Sequence, residues 1–322
     1  MYSDTLEDVA ATRGFDLRDD NVQILLPKLI REAHRARPFA GGLLPVTPRW
    51  PVVVDALRGP LDPKMLASVL TRVYSPDHEI LVLTTEDDPP EGGDDILIGD
   101  IAHLDADVLI AVITPLPVLD AGRDPRTLQH IVARLRQPDG CPWDRKQTNA
   151  TLRDALIDEV YEAVDAIDTN DMENLAEELG DLVLLVMMHA QIAEEAGQFT
   201  LEHVYEGITS KIVRRHPHVF GDREAHDPED VVGIWKTVKA DEQANGKKST
   251  KAADSLPHSM PTLERAKRVF RKHPLTAGQS TPEGRGGELL TMIASIIDAG
   301  DDPDTVLRAA LARHVEMEGS NP

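Results

Sequence analysis

Two helical periodicities separated by only four residues constrain this chain more than any other feature. Over Thr151 to Ile167, the residues Leu152, Leu156, Val160, Ala163, Val164 and Ile167 fall on one stripe, as an amphipathic helix requires. The run breaks at Asp168-Thr-Asn-Asp171, whose side chains suit a turn and the N-cap of a following helix. Helical spacing then resumes over Met172 to Ala196, includes the very apolar Leu182 to Met188, and stops at Gly197, a helix C-cap residue. A break this short folds the two helices antiparallel.

The same hairpin is strongly acidic. Residues 151–200 carry thirteen Asp or Glu against one basic side chain, Arg153. Such a run is ordinarily a solvated helix face, but the spacing here is more specific. Asp158-Glu159-Val-Tyr-Glu162 is followed sixteen residues later by Glu178-Leu-Gly-Asp181. Glu159 and Glu162 are three apart, as are Glu178 and Asp181, so each pair sits on one face of its helix. Antiparallel folding brings the four carboxylates toward one place, where they repel. A hard cation with oxygen ligands relieves that conflict, with Mg²⁺ or Mn²⁺ as the natural occupant. The flanking Leu, Val and Met residues are expected to bury one side of the site and strengthen the cation's field. Spacing alone leaves two readings: a shared metal site, or exposed helix acids without a common role.

The fold class expected for the whole chain is multidomain. Residues 1–124 read as an α/β segment, 125–245 as an all-α domain, and 246–322 as a linker and a further helical segment. In the first, Pro51–Asp55, Glu79–Thr84 and Asp107–Ile113 are short β-rich apolar runs and read as buried strands. Pro63 to Val73 has helical spacing, Glu86 to Asp95 reads as an acidic loop, and Pro115 to Pro125 as a linker. Beyond it, helices are expected over Thr127–Arg136, Thr200–Arg215, Pro228–Asn245, Pro261–Lys272 and Gly287–Val315, the last interrupted at Ala299-Gly-Asp-Asp-Pro303. Asn245–Lys251 reads as a flexible basic linker, and fraying is expected after Gly319.

A formal net charge of -22 argues against DNA or RNA duplexes as partners, because phosphate backbones are bound through clustered Lys and Arg. It does not exclude a single nucleotide, since a divalent cation can bridge carboxylates to phosphates. The lone cysteine, Cys141, rules out an internal disulfide framework and suits a reducing compartment. No apolar run reaches the roughly 18 residues of a membrane helix, and the first residues lack a signal-peptide pattern. A cytoplasmic protein with no membrane partner is expected.

Several collinear motifs now join the carboxylates: Gly140-Cys-Pro-Trp-Asp144, Gln147-Thr148, Arg214-Arg-His-Pro-His-Val-Phe220, and Ile234-Trp-Lys-Thr-Val-Lys-Ala240. Together, over about residues 127–245, they resemble the MazG family of all-α nucleoside triphosphate pyrophosphohydrolases, whose metal motif reads E-E-x-x-E then E-x-x-D. The resemblance implies Mg²⁺-dependent hydrolysis of nucleoside triphosphates to the monophosphate and pyrophosphate. It implies Glu159, Glu162, Glu178 and Asp181 as metal ligands, with Asp158, Glu159 and Glu162 as the catalytic acids. It further implies Lys211 and Arg215 as triphosphate contacts, Trp235 as an aromatic near the nucleotide where stacking on a base makes physical sense, and Trp143, Arg214 and Lys239 as further substrate-side residues. Trp143 and Trp235 can equally be core anchors, Arg214 a surface charge, and His216 and His218 turn residues. Asp158 departs from the family pattern, one methylene shorter than the usual Glu. Two other functions stay open: a non-catalytic nucleotide-binding regulator or scaffold, and a narrower dCTP or dUTP pyrophosphatase.

The flanking segments carry weaker resemblances. Ser68-Val-Leu-Thr-Arg-Val-Tyr-Ser-Pro-Asp-His-Glu-Ile80 is similar to the C-terminal half of a tetrapyrrole methylase domain, without the glycine-rich half that binds S-adenosylmethionine. Ser255–Ala266 resembles the connection between MazG repeats, and Gly286-Gly-Glu-Leu-Leu290 stands where a second E-x-x-D would be, with Arg285 at the first acid. The C-terminal segment therefore reads as a degenerate, catalytically empty second repeat. Helix hairpins of this kind bury their apolar faces poorly alone, so a homodimer is expected.

Overall fold

A computed structural model of the chain describes residues 2–18, 21–36, 46–86, 93–244, 256–257, 259–274 and 282–319. The chain divides into two compact units, residues 1–208 and 209–322.

The first unit begins with a mixed α/β layer. Its elements are α1 (Tyr2–Ala11), β1 (Gln23–Leu25), α2 (Pro27–Arg35), β2 (Val52–Asp55), α3 (Pro63–Leu70), β3 (Glu79–Thr84), β4 (Asp94–Leu97) and β5 (Val108–Ile113). The strands form one sheet in the order β1-β2-β5-β3-β4, parallel between β1 and β2 and antiparallel elsewhere. Period-two alternation sends Val52, Val54, Ile80, Val82, Ala111 and Ile113 to the face covered by α2 and α3. Val53, Leu81, Leu83, Ile110 and Val112 go to the opposite face, with Leu6, Val9 and Ala10 of α1. Val108 and Ile110 would share a face in a regular strand, yet they lie in different cores. The register shift opposite Leu83 and Thr84 explains this, because β5 carries one extra residue there and its parity changes.

The three strands expected from the sequence all form. The acidic-loop expectation needs correction at its end: Asp94 and Asp95 belong to edge strand β4, and residues 87–92 lie outside the described residues. The edge tolerates these acids because charge there discourages further strand pairing.

The helical part of this unit follows directly. It comprises α4 (Pro125–Arg136), α5 (Arg153–Thr169), α6 (Met172–Glu195) and the start of α7 (Leu201–Arg215). Buried Asp124 caps α4 by accepting from the Arg126 backbone N–H at 3.0 Å. The four-residue break does what its composition suggests. Asn170 adopts the left-handed conformation that closes α5, with φ 56°. Asp171 then accepts from the Asn174 N–H at 3.1 Å to open α6. Gly197, at φ 66°, closes α6, and the Gln198 N–H returns to the Ala193 carbonyl at 2.9 Å.

Packing corrects the simple stripe read for α5. Leu152 and Ala163 are buried among neighbouring helices, but Val160, Val164 and Ile167 are exposed. On α6, Leu185, Met187 and Met188 enter the core with Val132 of α4 and Leu201 of α7, while Leu179, Val183 and Val186 stay exposed. Two helices cannot bury all faces of both, so apolar residues at helical spacing remain exposed on each.

The second unit contains the rest of α7, the short α8 (Pro217–Phe220), α9 (Pro228–Ala244), α10 (Thr262–Lys272), α11 (Arg285–Asp298) and α12 (Pro303–Gly319). His216 and His218, read from sequence as turn residues, stand at the start of and within α8. The last three helices pack around Ala266, Phe270, Ile293 and Ala294. Lys267 of α10 bridges Glu264 on its own helix at 3.1 Å and Asp302, just before α12, at 2.6 Å. Between them lies an apolar cavity of about 610 Å³, lined in part by Leu263, Leu290, Met292 and Leu307. The basic linker read over Asn245–Lys251 falls outside the described residues, as does the chain after Gly319.

Candidate metal centre

The α5–α6 hairpin carries the acids expected to act together. Glu159 of α5 and Glu178 and Asp181 of α6 each offer a carboxylate oxygen, and these oxygens lie within 4.8 Å of one another. Glu178 is 8% exposed, an unusual position for a lone carboxylate. Its pKa is raised by desolvation first, then by the negative charges of Glu162, Glu159, Glu177 and Asp181. Glu159 is raised likewise by burial, then by Asp181 and Glu162, with a hydrogen bond from Glu178 offsetting part of the effect. The charges acting on both groups are all carboxylates.

An oxygen-only donor set under mutual repulsion fits a hard divalent cation, which is the chemistry of Mg²⁺ and Mn²⁺. Glu162 is exposed and acts on Glu159 and Glu178 through charge, outside the group of three that converges. Asp158 is also exposed, one residue before Glu159. The expected apolar cover is only partial, since Leu179 and Val183 beside the acids are themselves open to solvent.

Trp143 sits in the loop between α4 and α5 and is 64% exposed, so it anchors no core in this chain. Arg136, which the motifs did not single out, holds that loop. Its Nε and Nη2 donate to the two carboxylate oxygens of Glu195 at 2.7 Å each, and its Nη1 donates to the Gln147 carbonyl at 3.2 Å and to the Asp144 carbonyl. Further along the same connection, His189 of α6 donates from Nδ1 to the Asn149 side-chain oxygen at 2.8 Å. Burial lowers the His189 pKa, which keeps the ring neutral.

The basic positions of the second unit are arranged around one acid. Arg214 Nε donates to Glu242 Oε1 at 2.6 Å, and Arg215 Nη2 donates to Oε2 at 2.9 Å. The two guanidinium groups pull the Glu242 pKa down to about 2. Lys211 is half-buried on α7, and Lys239 is exposed on α9. Trp235, 37% exposed, meets the His216 ring edge-on at 5.5 Å between centroids. His216 is itself fixed by a bond from its Nδ1 to the Ile212 carbonyl at 2.7 Å.

Comparison with known proteins bears on this arrangement. The profile of the MazG nucleotide pyrophosphohydrolase domain matches residues 147–220. A 26.1 kDa protein of Streptomyces cacaoi is 36% identical over 176 residues, which cover 53% of this chain and 72% of that one. The chain belongs to the MazG family. A nucleoside triphosphate pyrophosphohydrolase of Escherichia coli strain K12 is 41% identical over 143 residues, covering 44% of this chain and 54% of the relative. A nucleoside triphosphate pyrophosphohydrolase/pyrophosphatase MazG of Thermotoga maritima is 43% identical over 142 residues, covering 44% and 53%. The chain thus spans about half the length of these two named relatives. The MazG match includes the whole carboxylate hairpin and the Arg214–Arg215 pair. Trp143 precedes it, and Trp235, Lys239 and Glu242 follow it.

Proposed function

We propose that the chain hydrolyses nucleoside triphosphates at the bond between the α and β phosphates, releasing the monophosphate and pyrophosphate. The observation that carries this reading is the convergence of Glu159, Glu178 and Asp181 from two arms of one hairpin. The activity named for the Escherichia coli and Thermotoga relatives supports it.

Glu159, Glu178 and Asp181, with Glu162 beside them, would hold Mg²⁺, or Mn²⁺ in its place. Such an ion supplies charge compensation for the triphosphate when bound. A carboxylate, Asp158 or Glu159, accepts the proton of the attacking water. The water oxygen then bonds to the α-phosphorus, the bridging P–O bond breaks, and pyrophosphate leaves with the bonding pair. Lys211 and Arg215 are assigned to the leaving phosphates, with Arg214, Trp143, Trp235 and Lys239 on the substrate side.

The organisation proposed around this site is an active domain over residues 125–245, preceded by an α/β segment and followed by a catalytically empty repeat. The tetrapyrrole-methylase-like reading of residues 1–124 rests on the 68–80 stretch and the strand, acidic loop and strand that follow it, and the matched profile, residues 147–220, does not reach this segment. A homodimer is proposed from the exposed apolar residues Val160, Val164 and Ile167 of α5 and Leu179, Val183 and Val186 of α6. A cytoplasmic location without nucleic-acid or membrane partners is proposed as part of the same reading. Among the described residues no helix is long and apolar enough to cross a membrane.

The test is pyrophosphate release from a panel of ribo- and deoxyribonucleoside triphosphates, with and without Mg²⁺. Glu178→Gln is expected to abolish turnover. Full activity in that variant would sink the carboxylate assignment, and no turnover by the intact protein would favour a nucleotide-binding scaffold.

A further inference from the structure

The loop between α4 and α5 is held more firmly than a surface connection requires. The Arg136 side chain is only 5% exposed, and it spends its donors on Glu195 and on two loop carbonyls. Burying a guanidinium is costly unless it is fully paired, and an apolar residue would fill the same space more cheaply. What an apolar residue cannot do is pin the Asp144 and Gln147 carbonyls. A second clasp, Arg134 to Asp139 at 3.0 and 2.9 Å, holds the start of the loop. A third joins Gln147 Nε2 to the Trp143 carbonyl at 3.0 Å, and Thr151 Oγ1 donates to Gln147 Oε1 at 2.8 Å. The tip of this fixed loop presents Trp143, an exposed indole for which the loop's own packing has no use.

Helix α6 relates the loop to the carboxylates. Glu178 and His189 are eleven residues apart on α6, about three turns, so they lie on one stripe roughly 16 Å apart along the axis. His189 holds Asn149, and Glu195, less than two turns further on, holds Arg136. The acidic end and the loop-holding end are therefore two stations on a single helix.

We propose that Arg136, locked by Glu195, is a positioning residue for the nucleoside end of the substrate. It fixes the Cys141–Gln147 loop so that the Trp143 ring is presented for base stacking. This rests on the pyrophosphohydrolase reading and adds to it the residue that controls nucleoside affinity.

The experiment compares Arg136→Met, Arg136→Lys, Trp143→Ala and the Arg136→Met/Trp143→Ala double variant in the full chain. Pyrophosphate release is followed against nucleoside triphosphate concentration with Mg²⁺, well below each variant's melting temperature. Arg136→Met and Trp143→Ala should each raise KM about tenfold, as loss of one base–aromatic stack implies. Turnover at saturation should stay within about twofold. The double variant should be no worse than the poorer single, because both act through one contact. Arg136→Lys should fall between wild type and Arg136→Met. A lowered melting temperature with unchanged KM, or KM effects that multiply in the double variant, would overturn the proposal.

A second readout does not need turnover. With 5-fluorotryptophan incorporated, the Trp143 ¹⁹F resonance, assigned by Trp143→Phe, should shift on adding nucleoside triphosphate. In Arg136→Met the shift should need about tenfold more nucleotide. If the protein shows that shift but releases no pyrophosphate, the hydrolysis reading fails and the positioning role stands. If nucleotide neither turns over nor moves the resonance, the positioning role fails as well.

Discussion

Replacing Gly140 by alanine probes the loop at its tightest point. An added Cβ would stand 2.2 Å from the Leu135 carbonyl oxygen and 2.6 Å from that of Arg134, where real Cβ contacts are essentially never under 3.0 Å. The Leu135 carbonyl has little room to yield, because it accepts from the Cys141 N–H at 2.8 Å. Relief therefore needs a backbone displacement of about 1 Å, enough to disrupt that bond. Overpacking strain together with one lost hydrogen bond costs about 2–4 kcal/mol. In a unit of this size that corresponds to a melting temperature lower by roughly 4–16 °C. Circular dichroism at 222 nm during heating, paired with KM at low temperature, reads both consequences. A melting temperature within about 2 °C of wild type, with KM unchanged, would refute the close packing and with it the idea of a fixed loop.

Three further outcomes follow from other parts of the molecule. Gly180, between two of the acids on α6, has open space where a Cβ would go, so Gly180→Ala should stabilise the helix by about 1 kcal/mol in urea titrations. Loss of activity in that stabilised variant would mean the open space serves a ligand or a partner. Without metal, the raised pKa values of Glu159 and Glu178 favour the folded state below the ordinary carboxylate value of 4.5, and that advantage is lost as pH rises through their folded values. Mg²⁺ should reverse the trend near neutrality, and a metal-free stability that climbs over this window would contradict the repulsion. Glu242 has the opposite sign: its contribution is present above 4.5 and lost as pH falls toward about 2. Glu242→Gln should therefore lower stability by about 1 kcal/mol at neutral pH, after solvent screening, and match wild type near the acid end.

The parts of the fold legible in the sequence are those with dense local signals. The Glu79–Thr84 strand has its expected limits, and the Asp168–Asp171 break supplies both a left-handed closure and an N-cap. Helices α1 and α2 and strand β1 escaped the reading, since Gln23–Leu25 is only three residues long and takes its identity from pairing with β2. Likewise β4 begins with two aspartates that no local preference would assign to a strand. At the site, three-residue spacing within each helix placed Glu159, Glu178 and Asp181 together, but it could not tell that Glu162 stays outside the converging group. Glu242 and the Arg136–Glu195 pair carry no local motif. Arg136 and Glu195 are 59 residues apart and meet only through the packing of α4 on α6.

One uninterrupted 24-residue helix, α6, has Glu178 and Asp181 near its start and Glu195 at its last turn. A rigid rod of this kind works as a calliper. The gap between its jaws is set by a residue count, at about 1.5 Å each, and no loop can relax it. Inserting a single residue between Asp181 and His189 would turn the far jaw by about 100° and point it away from its loop. Insertions in the turn at residues 168–171 would leave the gauge unchanged. The distance between the acids and the loop is thereby written into helix register, and evolution can reset it cheaply only in whole turns of about 5.4 Å.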